Sequence, residues 1–340
     1  MAMSELRRDP FTRDWVVIAP ERAHRPQHTP AAAPPAPATD PHCPFCPGHE
    51  QETPGELWRR PAYPDHPPGA WAVRVVPNRY PVLTLGHGPA RHRTAGLFIS
   101  AAGIGSHEVV IESPRHDWDL PDGEDTAVAD VLCAYRARSL VLRERGPGLV
   151  LPFRNHGPAA GTSLAHPHSQ IVATPIVPLR QRLLFDVART YYDDYGRCLY
   201  TDVTAAELAD GRRTVAIGDH VAAFSPYAAR AAYETWIVPR HHQASFADAG
   251  DEVLTETAAM LRRLLDALRH LLGDVPYNYA LISAPNGEEA TAYFAWHLQL
   301  VPRLAATAGF ELGSGMAVNP VPPERAAAEL RGTPPLGPHI

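Results

Sequence analysis

Two stretches of the chain read as copies of one unit. His107-Glu108-Val109-Val110-Ile111-Glu112-Ser113-Pro114-Arg115-His116 is answered by Tyr233-Glu234-Thr235-Trp236-Ile237-Val238-Pro239-Arg240-His241-His242. His168-Ser169-Gln170-Ile171-Val172 is answered by His297-Leu298-Gln299-Leu300-Val301. The offsets nearly agree, Glu234 lying 126 residues beyond Glu108 and His297 lying 129 beyond His168. Each pair of blocks brackets an amphipathic segment. One is Glu124 to Arg145, with Val128, Val131, Leu132 and Tyr135 on one face; the other is Asp251 to Leu272, with Leu254, Ala258, Leu261, Leu265 and Leu268 in one stripe. Matches that keep their order around the same helix predict a duplicated, strand-rich unit with one long helix per copy, divided as residues 1–190 and 191–340. Strand runs such as Trp15–Ile18, His107–Glu112 and Gln170–Ala173 outnumber the helices without alternating with them, which places the chain in the α+β class.

Several function classes are excluded at this level. The 340 residues carry 31 basic against 37 acidic side chains, a formal charge of −6, and every basic residue is arginine. A mildly acidic chain without a basic run is poorly suited to nucleic acid or to an anionic membrane surface. No apolar run reaches the roughly 20 residues of a membrane span. The first residues, Met1 to Asp9, are too polar for a signal peptide, so a cytoplasmic protein is expected. Proline, 37 residues in all, is concentrated between Pro26 and Pro41, a stretch that reads as an extended surface loop.

The densest chemistry lies in Asn155-His156-Gly157-Pro158-Ala159-Ala160-Gly161-Thr162-Ser163-Leu164-Ala165-His166-Pro167-His168-Ser169-Gln170. Proline keeps the residue before it extended, and alternate residues of an extended chain share a face, so His166, His168 and Gln170 point one way. The small residues before them leave backbone N–H groups open to an anion. A neutral imidazole there can attack phosphorus, and a glutamine amide beside it can donate to the charge that builds. Cys43-Pro44-Phe45-Cys46 offers two corners of a metal tetrahedron, with His116 and His166 as candidate partners; a reduced pair explains the same spacing. Arg22 and Arg25 can grip phosphate or be plain surface arginines.

With these motifs in hand, the chain resembles the galactose-1-phosphate uridylyltransferases, the transferase branch of the histidine-triad superfamily. The resemblance runs from about Arg8 to Arg331. It rests on Trp15 to Pro26, Cys43 to Gly48, Val76-Pro77-Asn78-Arg79-Tyr80-Pro81, the 155–170 block and Asn319-Pro320-Val321-Pro322-Pro323-Glu324. It implies an internally duplicated histidine-triad-like fold with antiparallel sheets. His168 would be the nucleophile that takes a nucleoside monophosphate, UMP first among the options, from a nucleotide sugar and passes it to a sugar 1-phosphate. Gln170 would hold the transferred phosphoryl group, and the His166 carbonyl would orient His168. Cys43, Cys46, His116 and His166 match the ligands of a structural zinc. Arg22, Arg25, Asn78, Asn155, Gly161 and Ser163 match positions that contact nucleotide and phosphates. The resemblance also implies a homodimer.

The second half departs from the family pattern. The glutamate that some members use for a second metal is missing near Leu183-Leu184, and Ala295-Trp296-His297 stands where a His-x-His pair would fall. His242 and His297 are too few to hold an ion, so no second metal is expected. The sugar-contacting pattern is not evident in Gly309–Ser314. Adenylyl or guanylyl transfer, nucleotide-sugar phosphorolysis and hydrolysis are alternatives on the same fold. A non-catalytic nucleotide-binding module is the alternative of a different class.

Overall fold

Alternating β-branched and aromatic runs become strands, and the two long amphipathic stripes become helices. The computed structural model describes residues 3–24, 37–62, 70–86, 92–94, 96–146 and 148–333. Arg25 and most of the proline-rich stretch lie outside the described residues.

Ten strands form one sheet, in the order Thr214–Ile217, Val221–Phe224, Thr235–Pro239, His297–Pro302, Tyr277–Ile282, Leu149–His156, His168–Thr174, Ser106–Ile111, Trp71–Pro77 and Trp58–Pro61. Every neighbouring pair is antiparallel. Read outward from the centre, the two halves repeat one order, as a duplicated unit joined edge to edge must. The seam is the pair Leu149–His156 and Tyr277–Ile282, where Asn155 faces Asn278. Pairing the two inner edges removes two exposed strand edges that separate copies would present.

One face of the sheet carries the helices Asp125–Arg143 and Asp251–Leu272, which pack on each other and on both halves. Val128, Val131, Leu132 and Tyr135 from the first helix, and Leu254, Ala258, Leu261, Leu265 and Leu268 from the second, join Val110, Ile171, Ile237 and Leu298 in one core. Each of the valines, leucines and isoleucines among them contributes roughly 1.5–3 kcal/mol by leaving water. The other face is covered differently in each half. Over the second repeat lie the helices Leu179–Tyr195 and Leu199–Asp210, whose Leu184, Phe185, Leu199 and Tyr200 pack on Phe224, Trp236 and Phe294. Over the first repeat lies the turn containing Cys43, Phe45 and Cys46, packed on Trp71, Val76, Val109 and Ile111. A short sheet of Glu5–Arg8, Trp15–Ile18 and Ala317–Asn319 closes the chain ends together.

Candidate active site

The histidine block is folded by its prolines and glycines. Leu149–His156 delivers Asn155 to its end, and Gly157 (φ +79°) and Gly161 (φ +95°) take backbone conformations that side chains with a Cβ rarely adopt. Between them Pro158–Ala160 makes a single tight turn. The Asn278 amide, from the second repeat, donates to Asn155 Oδ1 at 2.8 Å and to the Ala160 carbonyl at 2.9 Å, fixing the loop. Ser163 and Gly161 are exposed on it. The chain then re-enters the sheet at His168, where Arg154 pairs with Ser169 and His168 with Ile111.

His168 is half-buried, and its Nδ1 lies 2.8 Å from the carbonyl oxygen of His166. A carbonyl only accepts, so Nδ1 carries the proton and Nε2 keeps its lone pair. Burial, partly opposed by this bond and assisted by the nearby Arg154 charge, lowers the imidazole pKa and favours the neutral ring. Arg154 is itself sealed in the strand behind, paired with Glu112 at 2.9 Å and Asp119 at 2.7 Å.

His166 sits on the other side of the proline, wholly buried. Its Nε2–H donates to the Ser113 carbonyl at 2.8 Å, which leaves Nδ1 directed at Cys46. Cys43, Cys46, His116 and His166 are all buried, and their ligand atoms lie within 4.8 Å of one another. Cys46 Sγ is 3.5 Å from His116 Nδ1 and 3.6 Å from His166 Nδ1. A tetrahedral ion with ordinary zinc–sulfur and zinc–nitrogen distances requires edges of about 3.6 Å, so the donor set fits such an ion. Burial lowers the His166 pKa to about 4 and raises the Cys43 thiol to about 11. A neutral imidazole is the form that ligates, and a cation at the centre would favour the thiolates.

The remaining expected residues divide. Asn78 ends the strand Trp71–Pro77, its Oδ1 accepting from the Tyr80 N–H at 2.8 Å and its Nδ2 lying 3.2 Å from His107 Nε2. The same ring nitrogen lies 2.7 Å from Gln170 Oε1. Asn78, His107 and Gln170 therefore form one cluster on the face that bears His168. The sequence pattern does not mark His107; the pairing register does, by placing it on the same face as Val109, which lies opposite Gln170. Arg22 lies exposed on the turn Pro20–His24, and among the described residues no hydrogen bond or ion pair joins it to this cluster. Arg25 lies outside the described residues.

A cavity of about 870 Å3 opens over the second repeat, lined by Asn155, Asn278, Glu234, Gln299 and Arg180 among others. His168 does not line it; Asn155 connects the two regions.

The comparisons with known proteins agree with this geometry. Residues 1–178 match the family described as galactose-1-phosphate uridyl transferase, N-terminal domain. An ADP-glucose phosphorylase of Arabidopsis thaliana is 34% identical over 96% of this chain and 92% of its own. The crystal structure of an ADP-glucose phosphorylase from Arabidopsis thaliana with bound ADP-glucose superposes with a TM-score of 0.81 at 32% identity, covering 98% of this chain and 99% of that one. A galactose-1-phosphate uridylyltransferase of Thermotoga maritima is 28% identical over 97% of this chain and 99% of its own.

Proposed function

The chain belongs to the galactose-1-phosphate uridyl transferase family, and from that premise we propose that it moves a nucleoside monophosphate from a nucleotide sugar to a phosphate-bearing acceptor by way of His168. The observation that carries this is the 2.8 Å bond from His168 Nδ1–H to the His166 carbonyl, which leaves Nε2 unprotonated. Nε2 attacks the phosphorus next to the nucleoside, the bond to the sugar-phosphate oxygen breaks, and sugar 1-phosphate leaves. An acceptor phosphate oxygen then displaces the imidazole and regenerates it. Gln170 donates to the transferred group while charge builds there, and Asn155, Gly161 and Ser163 line the loop beside it.

Cys43, Cys46, His116 and His166 would hold a zinc ion, whose contribution is structural because four protein ligands complete its tetrahedron. It would brace the segment that ends in His168.

The 34% identity to an ADP-glucose phosphorylase favours an adenine nucleotide sugar as donor and inorganic phosphate as acceptor. UMP transfer to a sugar 1-phosphate is the second reading, supported by the 28% identity to a uridylyltransferase. Intact-mass analysis after incubation with ADP-glucose or UDP-glucose alone separates them. An AMP adduct that phosphate releases as ADP is expected. A UMP adduct released by galactose 1-phosphate would favour the second reading, and no adduct with either donor would remove both.

A further inference from the structure

The first and second repeats carry a glutamine at the same place, and the structure turns their amides in opposite directions. The pairing register makes the equivalence explicit. Gln170 lies opposite Val109 and Gln299 opposite Trp236, so the partner strands are offset by 236 − 109 = 127 residues. His107 therefore occupies the place of Glu234, one residue from the correspondence that the sequence match suggested. In the second repeat Gln299 Nε2 donates to Glu234 Oε1 at 2.7 Å, which turns the amide oxygen of Gln299 away from the carboxylate. In the first repeat His107 stands in that place, 2.7 Å from Gln170 Oε1.

The Val82 backbone decides which way the Gln170 amide lies. Its N–H points at His107 Nδ1 at 3.2 Å, and an N–H can only donate. Nδ1 is thus the bare nitrogen, Nε2 carries the proton, and Gln170 must turn its oxygen toward the ring. The two N–H bonds of Gln170 are left for another acceptor. We infer that His107 is a positioning residue that sets the polarity of the Gln170 amide, so that it presents donors and not an oxygen to the transferred phosphoryl group. This rests on the reaction proposed above. An amide turned the other way would place its oxygen against phosphoryl oxygens and oppose the charge it is meant to stabilise. Asn78 Nδ2 lies 3.2 Å from His107 Nε2 and is itself a donor, so Nε2–H bonds to Gln170 Oε1 at 2.7 Å and not to Asn78, and the Val82 N–H ties its loop to the ring.

A double-mutant cycle on the rate of His168 labelling tests this. His107→Glu copies the arrangement of the second repeat and should slow labelling by up to the roughly 100-fold expected for Gln170→Ala. His107→Gln keeps a donor at the position of Nε2 and should stay within about tenfold of the wild type. In the Gln170→Ala background, His107→Glu should add nothing. Additive losses, or equal losses for the Glu and Gln variants, would overturn the assignment. Ring nitrogen-15 spectra of the ligand-free protein, assigned with His107→Gln, should show the Nε2–H tautomer of His107. An Nδ1–H tautomer would defeat the inference even in a protein that no nucleotide sugar labels, so the two readings fail separately.

Discussion

The His297 ring lies on the Trp236 ring, centroids 4.3 Å apart and planes 13° from parallel. Tyr200 stacks on the same histidine at 5.3 Å. His297 is the counterpart of His168, and its Nδ1 faces the Ala295 carbonyl at 3.4 Å, as His168 faces His166 at 2.8 Å. The difference is access. His297 is wholly buried, burial lowers its pKa to about 4, and its Nε2 has no hydrogen-bond partner among the described residues. His297→Ala should leave the labelling rate unchanged and lower unfolding free energy by about 1–3 kcal/mol, through loss of packing between aromatic rings. Rapid-quench labelling and urea unfolding check the two halves of this expectation.

Removing the nucleophile removes the reacting atom. His168→Gly should abolish both turnover and the covalent adduct with the fold intact by circular dichroism. Gln170→Ala should retain the adduct but form it roughly 100-fold more slowly, the loss expected for one donor to developing charge. A label that persists in His168→Gly would place the nucleophile elsewhere.

About one zinc per chain is expected from four closed ligands. Cys43→Ser should lower metal content and Tm together, since the energy of binding is part of the energy of folding. Metal analysis of folded protein checks the first, and a thermal melt with and without chelator checks the second. Metal-free protein with an unchanged Tm would remove the assignment.

Acid should loosen the chain ends. Burial would raise the Glu324 carboxyl, but hydrogen bonds from Arg7 and Arg213, each at 2.9 Å, outweigh it and hold the carboxyl below its ordinary range. The stability this supplies is present above the carboxyl's unfolded-state pKa and is lost as pH falls through the depressed folded value. Glu324→Gln should therefore show a weaker fall in Tm between neutral pH and acid than the wild type does. Equal slopes would show that other carboxylates govern the acid limb.

The expected homodimer is checked by sedimentation at micromolar concentration. Tyr80, Val82, Leu97 and Phe98 are each at least 70% exposed in the isolated chain, and a dimer that covered them would remove apolar side chains from water. A fully active monomer would contradict it.

The site was legible in sequence where chemistry and geometry share a short segment. Pro167 fixes the extended backbone, and the alternation of His168 and Gln170 gives the common face without further information. The Cys43, Cys46, His116 and His166 cluster needed three chain segments, from 50 to 123 residues apart, to meet, which spacing alone does not dictate. His107 was missed because Ser106–Ile111 is buried throughout, so its alternation carries no contrast between wet and dry faces. The internal match set Glu234 against Glu108, and a slip of one residue in a strand exchanges its faces. The helices Leu179–Tyr195 and Leu199–Asp210 are also not marked in the sequence. They lie only partly against the core, with three and four buried side chains respectively, so their apolar stripes are short.

The parallel pairing of Ala317–Asn319 with Trp15–Ile18 has a consequence for synthesis. Asn319 is wholly buried; its amide donates to the Ala229 and Ala231 carbonyls, and its main-chain oxygen accepts from the Ala19 N–H at 2.8 Å. Trp15–Ile18 thus waits for residues made about 300 positions later. Both central helices and every strand of the ten-stranded sheet are synthesised before that partner exists. Nascent chains should therefore bury their first repeat while Trp15–Ile18 is still unpaired on one side, and translation halted just short of Ala317 should leave that strand open to protease.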